Sequence, residues 1–80
     1  MSDPVADVVA ATFGIPTSTV TDALAFQQAR EWDSVNHLSL MLSLEDAFGL
    51  TFDDDEIVAL TSVGAIRAAL RRRGALQPAE

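Results

Sequence analysis

Hydrophobic residues recur at helical spacing along this chain, and the pattern predicts helices and no strands. The first periodic segment starts at Asp3, a residue type favoured at helix N-caps, and at Pro4, which suits the first helical turn. Gly14 ends the segment, because glycine readily adopts the left-handed conformation that follows a helix. We predict a helix over residues 3–13 with one apolar stripe: Val5, Val8, Val9 and Thr12.

The second segment predicts a long helix over residues 34–48. Asp33 is the expected N-cap, and Gly49 is the expected end. Its apolar spacing predicts a side that faces the core: Leu38, Leu40, Met41, Leu44 (or Glu45) and Phe48. A different line of side chains mixes apolar with polar residues and predicts a contact surface: Val35, Ser39, Leu42 and Asp46.

Two shorter helices are predicted after the long one, over residues 54–60 and 62–73. Four consecutive acidic residues, 53–56, lie where the first of them begins, which favours a helix N-terminus. Thr61 or Ser62 caps the second, and three consecutive arginines stand at its C-terminal end, where cations are favoured.

A long connection, residues 15–33, joins the first two helices. A short helical turn is expected at residues 21–25, and the connection carries spaced apolar side chains that are expected to hold it on the bundle: Leu24, Phe26 and Trp32. We therefore predict one all-α domain over residues 1–73, a four-helix bundle with a long first loop and a short third helix. Residues 74–80 are expected to form a flexible tail.

Charge is distributed unevenly along the 80 residues. The net charge is −7, from 12 acidic residues and 5 basic ones, and residues 31–56 hold eight acids and no base. A negative middle argues against binding to nucleic acid or to an anionic membrane, and it favours a basic protein partner.

Cysteine is absent and histidine occurs once, so the protein has no thiol of its own and a metal site is not expected. The run of acids at residues 53–56 lacks the spacing and the glycine of a calcium-binding EF-hand loop. No segment has the length of a membrane span or the pattern of a signal peptide. We expect a cytoplasmic monomer.

Ser34 is the first candidate for chemistry. It follows the capping Asp33, where free backbone amides and the helix dipole would stabilise a phosphate ester on its oxygen. His37 lies three residues later on the same side of the helix. A small hydrolase that uses Ser34 and His37 as a pair is therefore one hypothesis. No oxyanion site is apparent, so we expect His37 to be a surface residue. We expect Trp32 to be partly buried in the loop.

Several stretches carry a recognisable pattern: Trp32-Asp33-Ser34-Val35, Leu38 through Leu44-Glu45-Asp46-Ala47-Phe48-Gly49, Phe52, Asp54-Asp55-Glu56-Ile57 and Thr61-Ser62-Val63. Together they resemble an acyl carrier protein, over about residues 3 to 72. The resemblance implies that Ser34, supported by Asp33 and Val35, receives 4′-phosphopantetheine from coenzyme A through a separate phosphopantetheinyl transferase. The thiol would then belong to the cofactor, which accounts for the missing cysteine, and the carrier would catalyse nothing itself.

The resemblance also implies two sets of contact residues. Acyl-loading and acyl-processing enzymes with basic patches would dock on one set: Asn36, Ser39, Leu42, Glu45, Asp46, Asp54, Asp55 and Glu56. The acyl chain would enter a pocket formed by the other: Phe26, Leu40, Met41, Leu44, Phe52, Ile57 and Leu60. Trp32, where fatty-acid carriers tend to have a small residue, indicates a dedicated biosynthetic pathway. An unmodified carrier-like interaction module is the alternative.

Overall fold

The computed structural model describes residues 3–28 and 30–75 of the chain. Four helices follow one another: α1 (Pro4–Phe13), α2 (Ser34–Phe48), α3 (Asp54–Ala59) and α4 (Val63–Arg72). The described residues form no strand, only an isolated bridge between Ala25 and Ser62. The predicted all-α fold, with its long first loop and short third helix, is confirmed. Residues 76–80 of the predicted tail lie outside the described residues.

The helix ends lie where the sequence places caps. The side chains of Asp3 and Asp33 accept hydrogen bonds from amides three residues on, at 3.2 and 2.9 Å. Gly14 and Gly49 end α1 and α2 with φ angles of 69° and 66°, a conformation that costs glycine little. Of the two candidate caps of α4, Ser62 is the one used. Local chemistry therefore sets where each of these helices begins and ends.

The core lies between α1, α2, α4 and the long loop. Its largest fully buried side chains are Val5, Val9, Trp32, Leu40, Met41, Leu44, Val63, Ile66 and Leu70. The stripe predicted for α1 is partly wrong, because Val8 and Thr12 are only half-buried while Ala6, Ala10 and Phe13 are buried. The reason is that α1 contacts both α2 and α4, so it buries two adjacent lines of side chains.

The long loop is held by backbone hydrogen bonds to the start of α4. The carbonyl of Leu24 accepts from the Val63 amide at 3.0 Å, and the Phe26 amide donates to the Thr61 carbonyl at 2.7 Å. The turn expected at residues 21–25 is present only as one turn closed by the Leu24 amide on the Thr21 carbonyl at 3.0 Å, because Ala25 already pairs with Ser62, and a short 3₁₀ helix lies earlier, at Thr17–Thr19. This pairing places Phe26 beside the end of α3.

Arg67 of α4 joins the beginning of α1 to the long loop. Its Nη2 lies 2.7 Å from Asp3 Oδ2, and its Nε lies 3.1 Å from Asp22 Oδ1. Partial burial of the Asp3 carboxyl raises its pKa, but hydrogen bonds from the Ala6 amide and from Arg67 outweigh that effect. The pKa of Asp3 therefore lies below its ordinary value of 3.8. No helix within these described ranges has the length and apolar character needed to span a bilayer.

Replacing Asp3 by Asn keeps a capping side chain and removes the charge that faces Arg67. Since folding lowers the pKa of Asp3, its contribution to the free energy of unfolding is complete above pH 3.8 and is lost as the pH falls through the folded-state value. We expect Asp3→Asn to cost about 0.2–1 kcal/mol at neutral pH, the range for solvent-screened ion pairs. Urea unfolding at neutral and acidic pH measures the difference.

Asp7→Asn is the matched control, since Asp7 is an exposed carboxylate on the same helix that makes no ion pair with any described residue. A difference between wild type and Asp3→Asn that stays the same in acid would contradict the role of the ion pair.

Candidate functional site

Ser34 is the first residue of α2, and its side chain is exposed. The capping Asp33 uses its carboxylate for the Asn36 amide and its carbonyl for the His37 amide, at 2.9 and 2.8 Å. The amides of Ser34 and Val35 have no partner among the described residues. A phosphodiester on Ser34 Oγ would have these two N–H groups and the positive end of the helix dipole close by, so the site fits a phosphopantetheine.

A cavity of about 370 Å³ lies beside Ser34, between α2, α3 and the loop. It is lined by Phe26, Ser34, His37, Leu38, Ile57, Val58 and Thr61. Two predicted pocket residues, Phe26 and Ile57, are therefore in its wall. The other five are buried in the core and do not line it: Leu40, Met41, Leu44, Phe52 and Leu60.

Leu38, Val58 and Thr61 line the cavity and are absent from the predicted pocket. The placement of Leu38 on the core side was wrong, because its side chain is 56% exposed. The core side of α2 packs mainly on α1, and Leu38 is turned away from it toward α3. One signal was available in the sequence: Leu38 lies four residues after Ser34, on the same helix face.

His37 is buried, with 8% of its surface exposed, so the expectation of a surface histidine is wrong. The fully buried indole of Trp32 donates its N–H to His37 Nδ1 at 2.9 Å. His37 Nε2 lies 2.7 Å from the carbonyl oxygen of Ile57. Because an indole nitrogen only donates, Nδ1 accepts and the ring proton is on Nε2, where it donates to the carbonyl.

The contacts of His37 also bear on the hydrolase reading. Both ring nitrogens already have partners, one in Trp32 and one in Ile57. A general base must offer a free acceptor within hydrogen-bond reach of the hydroxyl that it activates. His37 has no free acceptor for Ser34, so the geometry gives the Ser–His hydrolase no support.

The Ile57 carbonyl depends on His37 because α3 is so short. In a longer helix this carbonyl would accept from the amide four residues on, which belongs to Thr61. That amide donates to Ala59 instead, at 2.9 Å, because the helix has already ended. A carbonyl left without a partner in a partly buried place costs about 1–3 kcal/mol, so the His37 contact helps to hold α3 against α2.

Curated proteins provide an independent comparison. An acyl carrier protein from Lactobacillus johnsonii is 35% identical over 60 residues, which is 75% of this chain and 75% of that protein. The chain belongs to the acyl carrier protein family. One from Rubrobacter xylanophilus is 33% identical over 57 residues, covering 71% and 70% of the two chains. Acyl carrier protein 3 of Ralstonia nicotianae is 29% identical and covers 91% and 88%.

No family model matches the chain. The family resemblance predicted from the sequence is nevertheless confirmed by these relatives, since each alignment covers most of both proteins. The remaining question is how the docking residues implied by that resemblance are placed.

Three of the residues predicted for docking make hydrogen bonds or ion pairs with other residues of this protein. Glu45 is half-buried and accepts the Phe52 amide at 2.7 Å. Glu56 closes the capping box of α3, and its Oε1 lies 3.5 Å from Nη1 of Arg73. Asn36 donates its side-chain amide to the carbonyl of Glu31 at 2.7 Å. These contacts use the side chains to fix loops and helix ends.

The other predicted docking residues are exposed, and they are Ser39, Leu42, Asp46, Asp54 and Asp55. Large apolar side chains near Ser34 are also exposed, and we call them the apolar patch: Val35, Leu38, Leu42 and Val58, at 73, 56, 66 and 75%. The first three follow one face of α2, and Leu38 and Val58 share the cavity wall. The exposed surface near Ser34 therefore includes large apolar side chains, and the exposed carboxylates among the predicted docking residues lie farther along the sequence.

Replacing His37 by Leu keeps a side chain of similar size but leaves the Trp32 indole N–H and the Ile57 carbonyl without partners. Each unpaired group costs about 1–3 kcal/mol, so we expect the free energy of unfolding to fall by about 2–4 kcal/mol. Urea denaturation measures it. Ser39→Leu, at an exposed position of the same helix, is the control and should change stability by no more than about 0.5 kcal/mol. Equal effects of the two substitutions would show that the buried contacts add nothing to stability.

Proposed function

We propose that this protein carries acyl groups on a 4′-phosphopantetheine arm attached to Ser34. The observation that carries the proposal is the exposed Ser34 hydroxyl at the start of α2, next to two unpaired amides and an apolar cavity. Its membership of the acyl carrier protein family supports the same conclusion. The arm supplies a thiol that holds the acyl group as a thioester, which the cysteine-free chain does not supply itself.

Attachment of the arm makes one bond at Ser34 and breaks one in coenzyme A. The Ser34 oxygen bonds to the phosphorus that carries the pantetheine, its proton leaves, and the adenosine part departs with its remaining phosphates. A phosphopantetheinyl transferase catalyses this step, since His37 has no free nitrogen to act as a base. The free amides of Ser34 and Val35 then stabilise the charge of the phosphodiester.

Partner enzymes bind the surface around Ser34 in this proposal. The apolar patch supplies buried contact area, and the exposed carboxylates Asp46, Asp54 and Asp55 meet basic groups of the partner. Glu45, Glu56 and Asn36 contribute less than the family resemblance implies, because their side chains hold internal contacts. In this proposal the protein is a cytoplasmic monomer that serves a dedicated biosynthetic pathway. It catalyses no step itself.

An unmodified interaction module is the second candidate, because an exposed apolar patch would also serve a protein that only docks. It differs from the carrier in one measurable respect, the covalent arm on Ser34.

Incubation with coenzyme A and a phosphopantetheinyl transferase should add the mass of one phosphopantetheine to the wild-type protein. Ser34→Ala should gain no mass, because the hydroxyl that forms the ester is gone. Ser39→Ala is the matched control, since Ser39 is an exposed serine on the same helix, and it should be modified like the wild type. Intact-mass spectrometry reads all three. No mass gain in the wild type rules out the carrier and leaves the interaction module, whereas an equal gain in Ser34→Ala rules out Ser34 as the attachment site.

Charge reversal separates docking carboxylates from structural ones. Asp46→Lys should slow modification by up to about fivefold at low salt, equivalent to about 1 kcal/mol for a solvent-exposed pair, and less at high salt. Its folding stability should not change. Glu45→Lys should instead lower the free energy of unfolding by about 1–3 kcal/mol, because the Phe52 amide loses its acceptor.

For each variant, the rate of modification is measured at several salt concentrations, and the free energy of unfolding is measured in urea. If Asp46→Lys is modified at the wild-type rate at every salt concentration, Asp46 does not contact the transferase. If Glu45→Lys is as stable as the wild type, the Phe52 contact is not structural.

A further inference from the structure

The Ser34 cavity has one buried end. Among its lining residues only His37 is buried, whereas Phe26 and Ile57 are half-buried and Ser34 and Leu38 are exposed. The cavity therefore extends inward from the exposed Ser34 to the ring of His37, which closes it on the side of the core.

Aromatic rings fill the interior behind His37. The Trp32 ring lies edge to edge with the His37 ring, with centroids 6.1 Å apart and planes inclined by 24°. The ring of Phe13, on α1, packs against Trp32 with centroids 5.3 Å apart. Rigid rings in a close-packed interior have fewer alternative positions than a flexible methionine or leucine side chain. An acyl chain that passed His37 would have to displace rings that are packed on both sides.

The hydrogen bonds of His37 close the same path. One bond joins it to the fully buried indole of Trp32, and the other joins it to the Ile57 carbonyl on α3. Moving the His37 ring aside leaves both partner groups unpaired, and an acyl chain offers them no hydrogen bond. Entry past His37 therefore requires that the burial of methylene groups offset the loss of two hydrogen bonds. Filling the cavity in front of His37 breaks neither hydrogen bond.

We propose that the hydrogen-bonded Trp32–His37 pair sets the length of the acyl group that this protein encloses. An acyl group on the arm occupies the cavity in front of the pair, and the part of a longer chain that exceeds this cavity stays in solvent. The inference rests on the carrier function proposed above and deepens it, because it names the inner end of the space in which the protein protects its cargo from water.

Loading the protein with butyryl-, octanoyl- and lauroyl-phosphopantetheine from the corresponding acyl-coenzyme A tests the inference. Intact mass first establishes that each sample is loaded on Ser34, and a failure at this stage counts against the carrier function alone. NMR of isotope-labelled protein then follows the ring signals of Trp32 and His37, which are unambiguous because the chain has one of each residue.

We expect the butyryl group to shift the methyl signals of Leu38, Ile57 and Val58. The lauroyl group should shift the same signals with no further change, and the indole N–H of Trp32 should keep its position and its slow exchange with solvent. A lauroyl chain that shifts Trp32, or methyl signals of the core residues Leu40 and Met41, overturns the inference while leaving the carrier function intact.

The double variant Trp32→Leu/His37→Leu removes both rings and both polar groups, and it should let the lauroyl chain shift the signals of Leu40 and Met41. Leu70→Ala is the control, because it makes space in the core at a residue that does not line the cavity, and it should bind lauroyl as the wild type does. A folded double variant that behaves as the wild type does would overturn the inference. If that variant does not fold, the comparison of chain lengths in the wild type still decides the matter.

Discussion

One chain of hydrogen bonds, from the Trp32 indole through the His37 ring to the Ile57 carbonyl, connects the long loop, α2 and α3. Each group in it is buried or nearly so, and buried polar groups are costly unless they are paired. The arrangement therefore permits one ring orientation and one tautomer of His37. It also fixes the inner end of the Ser34 cavity, because the same ring that completes the pairing forms the cavity wall.

The short helix α3 depends on this contact more than the other helices do. It has no fully buried residue of its own, whereas α1, α2 and α4 each bury at least four. Its remaining attachments are its capping box, the ion pair of Glu56 with Arg73 and the partial burial of Ile57. Elements with few buried contacts open most easily. α3 is therefore the helix that we expect to open most easily.

Four of the eight acidic residues between positions 31 and 56 accept hydrogen bonds inside the fold. Asp33, Asp53 and Glu56 accept or complete helix-end hydrogen bonds, and Glu45 holds the Phe52 amide. A carboxylate that accepts an amide hydrogen bond keeps its negative charge, so these contacts fix where the charge lies and do not reduce the net charge of −7. Close to Ser34 the exposed surface includes the apolar patch and the carboxylate of Asp33.

The sequence by itself determined the four helices, their caps, the glycine ends and the position of Ser34, because each follows from spacing and from hydrogen bonds within a few residues. It also carried the family resemblance. Only the tertiary structure decided that His37 is buried and Leu38 exposed, and that Glu45 accepts the Phe52 amide. The physical reason is that neighbouring residues on a helix point about 100° apart, so burial depends on which distant element packs against each side.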